Sequence, residues 1–274
     1  YGVSYNSYLI DDEMVALVDT VDICYFEVYL RKIKQVIGER PINYLIINHM
    51  EPDHSGSIRL IKQHYPEIII VGNKQTFGMI EGFYGVTGEQ YLVKEGDFLA
   101  LGHHKLRFYM TPMVHWPETM MTFDETDGVL FSGDGFGCFG TVDGGFLDTR
   151  INVDKYWGEM VRYYSNIVGK YGSPVQKALQ KLGGLPISAI CSTHGPVWTE
   201  NIAKVIGIYD RLSRYDADEG VVIAYGSMYG NTEQMAEAIA EELSAQGVKN
   251  IVMHNVTKSH PSYIIADIFR YKGL

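Results

Sequence analysis

The run YLIINHMEPDHSGSI, residues 44–58, puts two histidines and two carboxylates, His49-x-Glu51-x-Asp53-His54, directly behind a short unbroken apolar stretch. An apolar run of that length fits a strand covered on both faces. Ionisable groups gathered where such a strand leaves the core need compensation, and a bound cation supplies it. The same form recurs. LRFYMTPMVH, GVLFSGD and ISAICSTH are each strand-like, and they end on His115, Asp134 and His194. In layered α/β folds, ligand sites lie beyond the ends of the strands. The spacing therefore predicts that His49, Glu51, Asp53, His54, His115, Asp134 and His194 converge, enough for two metal ions sharing a bridging group. Ions held about 3.5–4 Å apart in such a site bind one small substrate jointly.

The intervening sequence alternates strands and helices, which places the chain in the α/β class. SYNSYLI and MVALVDT flank the polar turn Asp11-Asp12-Glu13 and read as a hairpin, and the chain opens at Tyr1 inside strand-like sequence. FEVYLRKIKQVIG reads as a helix with Phe26, Tyr29, Ile33 and Val36 on one face and Gly38 as its stop. A further helix runs through Leu60 and Ile61 to the strand EIIIVG. YWGEMVRYYSNIV is expected to turn Trp157, Met160, Val161 and Tyr164 inward. SPVQKALQKLGG is expected to use Ser173 as its N-cap, Pro174 in its first turn and Gly183 as its end. The remaining histidines, His64, His103, His104, His254 and His260, stand in polar stretches and are expected to be solvated.

At 274 residues there is room for one large domain and part of a second. A net charge of -10 leaves no basic surplus to neutralise phosphates, which argues against nucleic acid as the main partner. Cys24, Cys138 and Cys191 are too scattered for a disulfide framework or a thiolate metal site, so a reducing cytoplasm is expected. No apolar run approaches the roughly 20 residues of a membrane span.

From Gly220 the pattern changes to GVVIAYGSMYGNTEQMAEAIAEELSAQG, where an apolar strand meets a loop of small and hydroxyl residues before a helix. Backbone amides of Ser227, Met228, Tyr229, Gly230, Asn231 and Thr232, with the hydroxyls of Ser227 and Thr232, are expected to wrap a phosphate at the helix N-terminus. Met235, Ile239 and Leu243 recur every fourth residue and are expected to pack on the sheet. The loop has no lysine of the Walker type, which points to a single phosphate rather than a nucleoside triphosphate. GFGCFG at 135–140 has the spacing of a dinucleotide loop. The sequence after it has no helical period, so its glycines are read as letting the backbone fold beside Asp134.

The pattern H-x-[EH]-x-D-H, then His, Asp and His, resembles the metallo-β-lactamase fold, an αββα sandwich. With Glu51 at its second position, and with VHWPETMMTF and FSGDGFG around the later ligands, the chain is similar to the flavodiiron proteins. That resemblance implies an oxidoreductase that reduces dioxygen to water, or nitric oxide to nitrous oxide, at a non-heme diiron site with electrons from FMN. It implies one iron on His49, Glu51 and His115, another on Asp53, His54 and His194, and Asp134 as the bridge. Carboxylate oxygen hardens the site and supports iron, where an all-nitrogen site favours zinc. The loop at 227–232 resembles the FMN phosphate loop of flavodoxins. The resemblance also implies a head-to-tail homodimer, an electron donor such as rubredoxin or a reduced deazaflavin, and a cytoplasmic setting.

The expected organisation is a metallo-β-lactamase-like domain over residues 1–219, with an incomplete N-terminus, and the first part of a flavodoxin-like domain over 220–274. That second part is expected to hold two strands and two helices, and to retain FMN poorly. Two other functions use the same scaffold: a zinc or di-metal hydrolase, and a non-catalytic electron-transfer or gas-sensing module.

Overall fold

A computed structural model describes residues 2–142 and 144–274, so Tyr1, where a strand was expected to open, lies outside the described residues. The first sheet contains β1 (Tyr8–Ile10), β2 (Ala16–Val18), β3 (Tyr44–Ile46), β4 (Ile69–Gly72) and β5 (Gln90–Leu92), in that spatial order. The expected hairpin is β1–β2, paired antiparallel with Leu9 opposite Leu17, and the remaining neighbours run parallel. The parallel steps need crossovers, which α1 (Phe26–Ile37), α2 (Pro52–Ser55), α3 (Ile58–His64) and α4 (Lys74–Tyr84) supply.

The second sheet holds β6 (Phe98–Ala100), β7 (Lys105–Met110), β8 (Met120–Asp124), β9 (Val129–Gly133) and β10 (Ala189–Ser192), in the order β10-β9-β8-β7-β6. Because β7 and β9 are each antiparallel to β8, and β10 is parallel to β9, the strands β7, β9 and β10 all leave the sheet at one end. The two sheets face each other through Ile46, Val71, Phe108, Met120 and Phe131. Helices α1, α3 and α4 cover the outer face of the first sheet through Phe26, Ile33, Ile61 and Phe77. The outer face of the second is covered by α5 (Asp154–Tyr163), α6 (Gly172–Leu182) and α7 (Ile202–Ser213), through Met160, Val175 and Val205. The result is an αββα sandwich.

A third sheet has β11 (Asp218–Tyr225) at its centre, parallel to both β12 (Ile251–Asn255) and β13 (Tyr271–Gly273). Helices α8 (Asn231–Ala245) and α9 (Pro261–Arg270) connect these strands. The buried Arg162 guanidinium on α5 donates to Ser262 Oγ at 3.0 Å and lies over the rings of Phe139 and Tyr263, which ties α9 to the sandwich.

Several local expectations are corrected. Tyr271–Gly273 form a third strand where two were expected, so the first half of β11 is paired on that side, at Asp218 and Val221. Val36 is 62% exposed, and Leu30 and Ile37 share the buried face of α1 with Phe26, Tyr29 and Ile33. Tyr156, Met160, Arg162 and Tyr163 are the buried residues of α5, while Trp157 and Val161 are only half-buried. The chain continues from α5 through a π-helical stretch and a 3-10 turn into α6, so Ser173 has no free helix start to cap. On α8 it is Ala236 that meets the sheet, at 4% exposure, while Met235 and Ile239 stand in solvent. Two histidines expected to be solvated are half-buried with partners, His104 with Asp124 at 2.8 Å and His254 between Ser259 and Asp267, while His260 stays exposed and caps α9.

Candidate metal centre

The three strands that leave one end of the second sheet, together with β3 of the first, deliver all seven predicted residues to one place. Asp134 follows β9 directly, His194 stands just past β10, and His115 lies on the loop after β7, which ends at Met110 rather than running on to Val114. His49 and Glu51 sit on the turn between β3 and α2, and Asp53 and His54 lie in α2. Gly133 adopts φ +55 at the end of β9, a left-handed turn that favours glycine and swings the next residue, Asp134, out of the strand line.

These residues form two groups whose ligand atoms cluster tightly: His49, Glu51, His115 and Asp134 in one, and Asp53, His54 and His194 in the other. Asp134 joins them. Its Oδ2 is 3.1 Å from His115 Nε2 and 3.7 Å from His49 Nε2, while its Oδ1 is 3.0 Å from His54 Nε2 and 3.6 Å from His194 Nε2. Glu51 Oε2 lies 3.1 Å from His115 Nε2 in the first group, and Asp53 Oδ2 lies 3.3 Å from His194 Nε2 in the second. Each half thus offers two imidazoles, one carboxylate of its own and one oxygen of Asp134.

The electrostatics explain why such a cluster suits cations. Burial opposes charge on the His49 ring, but Asp134, Glu118 and Glu51 outweigh it and raise its pKa to about 10. His115 and His194 are raised in the same way against the cost of burial, by Asp134 with Glu51 in one case and by Asp53 with Asp134 in the other. Hydrogen bonds from His115 and then His49 draw Glu51 down to about 2. Asp134 is held well below the usual carboxylate range, because His54 and His115 overcome its burial. Protons on His49, His115 and His194 thus offset the carboxylates when no ion is bound, and metal cations can take over that role. Asp53 Oδ1 and His54 Nε2 are buried without a well-aligned hydrogen bond, although His54 Nε2 stands 3.0 Å from Asp134 Oδ1, and an ion coordinated by them removes that cost. The donor set therefore fits a pair of metal ions.

Residues that the sequence did not single out fix this geometry. Glu118 Oε1 lies 2.9 Å from His49 Nδ1 and accepts the Met50 N–H at 2.9 Å. Asp19 Oδ1 accepts the backbone N–H groups of Asn48 and His49, and burial pushes its carboxyl up to about 6. His194 Nδ1 donates to the Ser4 carbonyl at 2.7 Å. The Tyr163 ring packs 5.6 Å from His194 with its hydroxyl buried and unpaired, and burial first, then the charge of Asp134, keeps that phenol protonated. Asp19 had a legible signal, since it ends an apolar strand as Asp134 does.

In the third sheet, the predicted phosphate loop joins β11 to α8. Gly230 occupies the N-cap position at φ +89 and has no side chain to cap the helix, so the first-turn N–H groups stay open to an anion. Ser227 Oγ accepts the Gly230 N–H at 3.0 Å and shapes the loop, and the Glu233 carboxylate is engaged by the Tyr225 hydroxyl. Met228 and Tyr229 are exposed, as is Thr232.

Comparison with known proteins bears on both parts. Residues 3–195 match the ODP family beta lactamase, and residues 223–274 match flavodoxin. The anaerobic nitric oxide reductase flavorubredoxin of Vibrio vulnificus is 33% identical over all of this chain and 56% of its own length. That of Escherichia coli O1:K1 is 32% identical over all of this chain and 58% of its own. The chain thus spans little more than half the length of these curated relatives. Among solved structures, the rubredoxin oxygen:oxidoreductase of Desulfovibrio gigas superposes with a TM-score of 0.94 at 30% identity, covering 98% of this chain and 68% of that one. The flavodiiron protein of Giardia intestinalis gives 0.92 at 29% identity, over 97% and 65%. Matched over most of its length and followed by a flavodoxin match, this chain belongs to the ODP beta lactamase family and is related within that fold to the flavodiiron proteins.

Proposed function

We propose that this chain is the metal-bearing part of a flavodiiron oxidoreductase that reduces dioxygen to water or nitric oxide to nitrous oxide. The observation that carries the reading is the two-sided position of Asp134, one oxygen toward His115 and His49, the other toward His54 and His194. His49, Glu51 and His115 would hold one iron, Asp53, His54 and His194 the second, and Asp134 would bridge. When bound, the iron pair would supply Lewis acidity and relay to the gas molecule the electrons that reduced flavin and its donor deliver. The protein fixes the seven donors, screens the ions from bulk water with Trp116 edge-on to His49, and keeps a protonated phenol at Tyr163 beside Asp134. Carboxylate in each half favours iron over zinc.

Residues 1–219 would form the iron unit and 220–274 the first part of an FMN unit, with Ser227, Met228, Tyr229, Gly230, Asn231 and Thr232 around the FMN phosphate. The open N-terminus of α8 supports that assignment. The same reading includes a head-to-tail homodimer, a donor such as rubredoxin or a reduced deazaflavin, and a cytoplasmic setting. The free cysteines accord with that setting, and among the described residues no helix is long and apolar enough to cross a membrane. The test is metal content after anaerobic reconstitution with iron and zinc both present, followed by gas consumption with reduced flavin supplied. We expect close to two irons per chain. Tightly bound zinc with no iron would overturn the redox assignment in favour of a hydrolase.

A further inference from the structure

The outer nitrogens of the cluster histidines are treated unequally. His49 Nδ1 faces the Glu118 carboxylate at 2.9 Å, with both side chains almost completely buried. His194 Nδ1 donates to a neutral carbonyl, that of Ser4, at 2.7 Å. His54 Nδ1 is buried and has no hydrogen-bond partner. Among the described residues Glu118 is bound through Oε1 alone, its Oε2 being buried without a partner, and His49 is the ring its charge meets at hydrogen-bond distance.

A carboxylate on the far nitrogen fixes the tautomer, so that Nε2 presents its lone pair to the cluster, and it makes that lone pair more basic. A carbonyl does the same more weakly, and a ring without a partner gains neither effect. Buried where water cannot screen it, the Glu118 charge acts at full effect on His49. We propose, on the basis of the metal-centre reading above, that Glu118 is a positioning residue that makes the His49–Glu51–His115 position the tighter of the two, filling first and releasing its ion last. The structural alternative is that Glu118 only shapes the turn through the Met50 N–H. Glu118→Gln separates the two roles, because the amide keeps the volume and an acceptor for Met50 and loses the charge.

The experiment titrates the metal-free chain with Co2+ without oxygen, follows its visible absorption bands, and then measures release into a chelator. The wild-type chain is expected to bind two ions in steps at least about tenfold apart. Glu118→Gln should weaken the first step by about 10- to 100-fold and leave the second in place. His54→Asn, which keeps Glu118 intact, should weaken the second step alone and so tests the order of filling without depending on how the Gln variant folds. Equal weakening of both steps by Glu118→Gln, no weakening of either, or loss of the first step in His54→Asn would each overturn the proposal. Failure of the wild-type chain to bind Co2+ at all would instead refute the metal centre.

Discussion

Asp134→Asn tests the bridge, because an amide offers one oxygen where the carboxylate offers two. Thr193 Oγ1 donates to Asp134 Oδ1 at 2.6 Å, on the side that faces His54 and His194. An asparagine at this position will turn its carbonyl oxygen toward that hydroxyl and place its NH2 where Oδ2 stands, 3.1 Å from His115 Nε2. An amide nitrogen has no lone pair to give a metal. The Thr193 hydrogen bond is worth about 1 kcal/mol, which biases the amide about fivefold toward this orientation. Removing one anionic partner from a buried charged group costs about 3 kcal/mol, on the order of 10²-fold in affinity. Whichever position the amide nitrogen faces loses its oxygen donor, so Asp134→Asn should fall from two irons per chain toward one and lose the magnetic coupling. Metal analysis with electron paramagnetic resonance reads both quantities. Two coupled irons in Asp134→Asn would refute the bridge.

Two further outcomes follow from other parts of the fold. Asp148 is buried and accepts hydrogen bonds from the backbone N–H groups of Thr199, Glu200 and Asn201 and from the side chains of Thr199 and Asn201, clamping the chain before α7. Asp148→Ala strands several of those donors and should cost about 3 kcal/mol, or about 6–12 °C in melting temperature, and a shift below 1–2 °C would refute the clamp. Burial raises the Asp148 carboxyl, but hydrogen bonds from Thr199 and Asn201 outweigh it and hold it below its usual value. Its contribution is thus complete above the unfolded carboxylate value of about 4 and is lost as pH falls through the lower folded value, so acid melting should narrow the gap between wild type and variant. On the proposed reading, among the described residues only the phosphate end of FMN would meet a shaped loop, while Met228 and Tyr229 stand 85% and 86% exposed, so the ring would find little surface on which to be buried. This 274-residue chain should therefore release flavin on desalting, and stoichiometric flavin fluorescence in the protein fraction would refute that account.

What could be read from the sequence was the set of groups whose position depends on local chain direction. A strand delivers whatever follows its last residue to the sheet edge, so strand-end spacing found His115, Asp134 and His194 although they come from three strands. Glu118 stayed hidden because its meaning lies in His49, 69 positions away, and nothing in WPET distinguishes a charge destined for burial from an ordinary loop acid. Helical periodicity failed for a related reason. On α8 both Met235/Ile239 and Ala236/Ala240 recur at helical spacing, and the choice was decided by how closely the helix approaches β11, which Ala236 permits at 4% exposure. Ser173 has the residue type of a cap, yet the turns before α6 are already helical, so its hydroxyl has no open first turn to satisfy. Hydrophobicity and spacing record which groups a fold must bury or gather. The partner that makes each burial tolerable is chosen in three dimensions, and at this centre that partner is a carboxylate on His49, a carbonyl on His194 and, on the proposed reading, a metal ion shared by His54 Nε2 and Asp134.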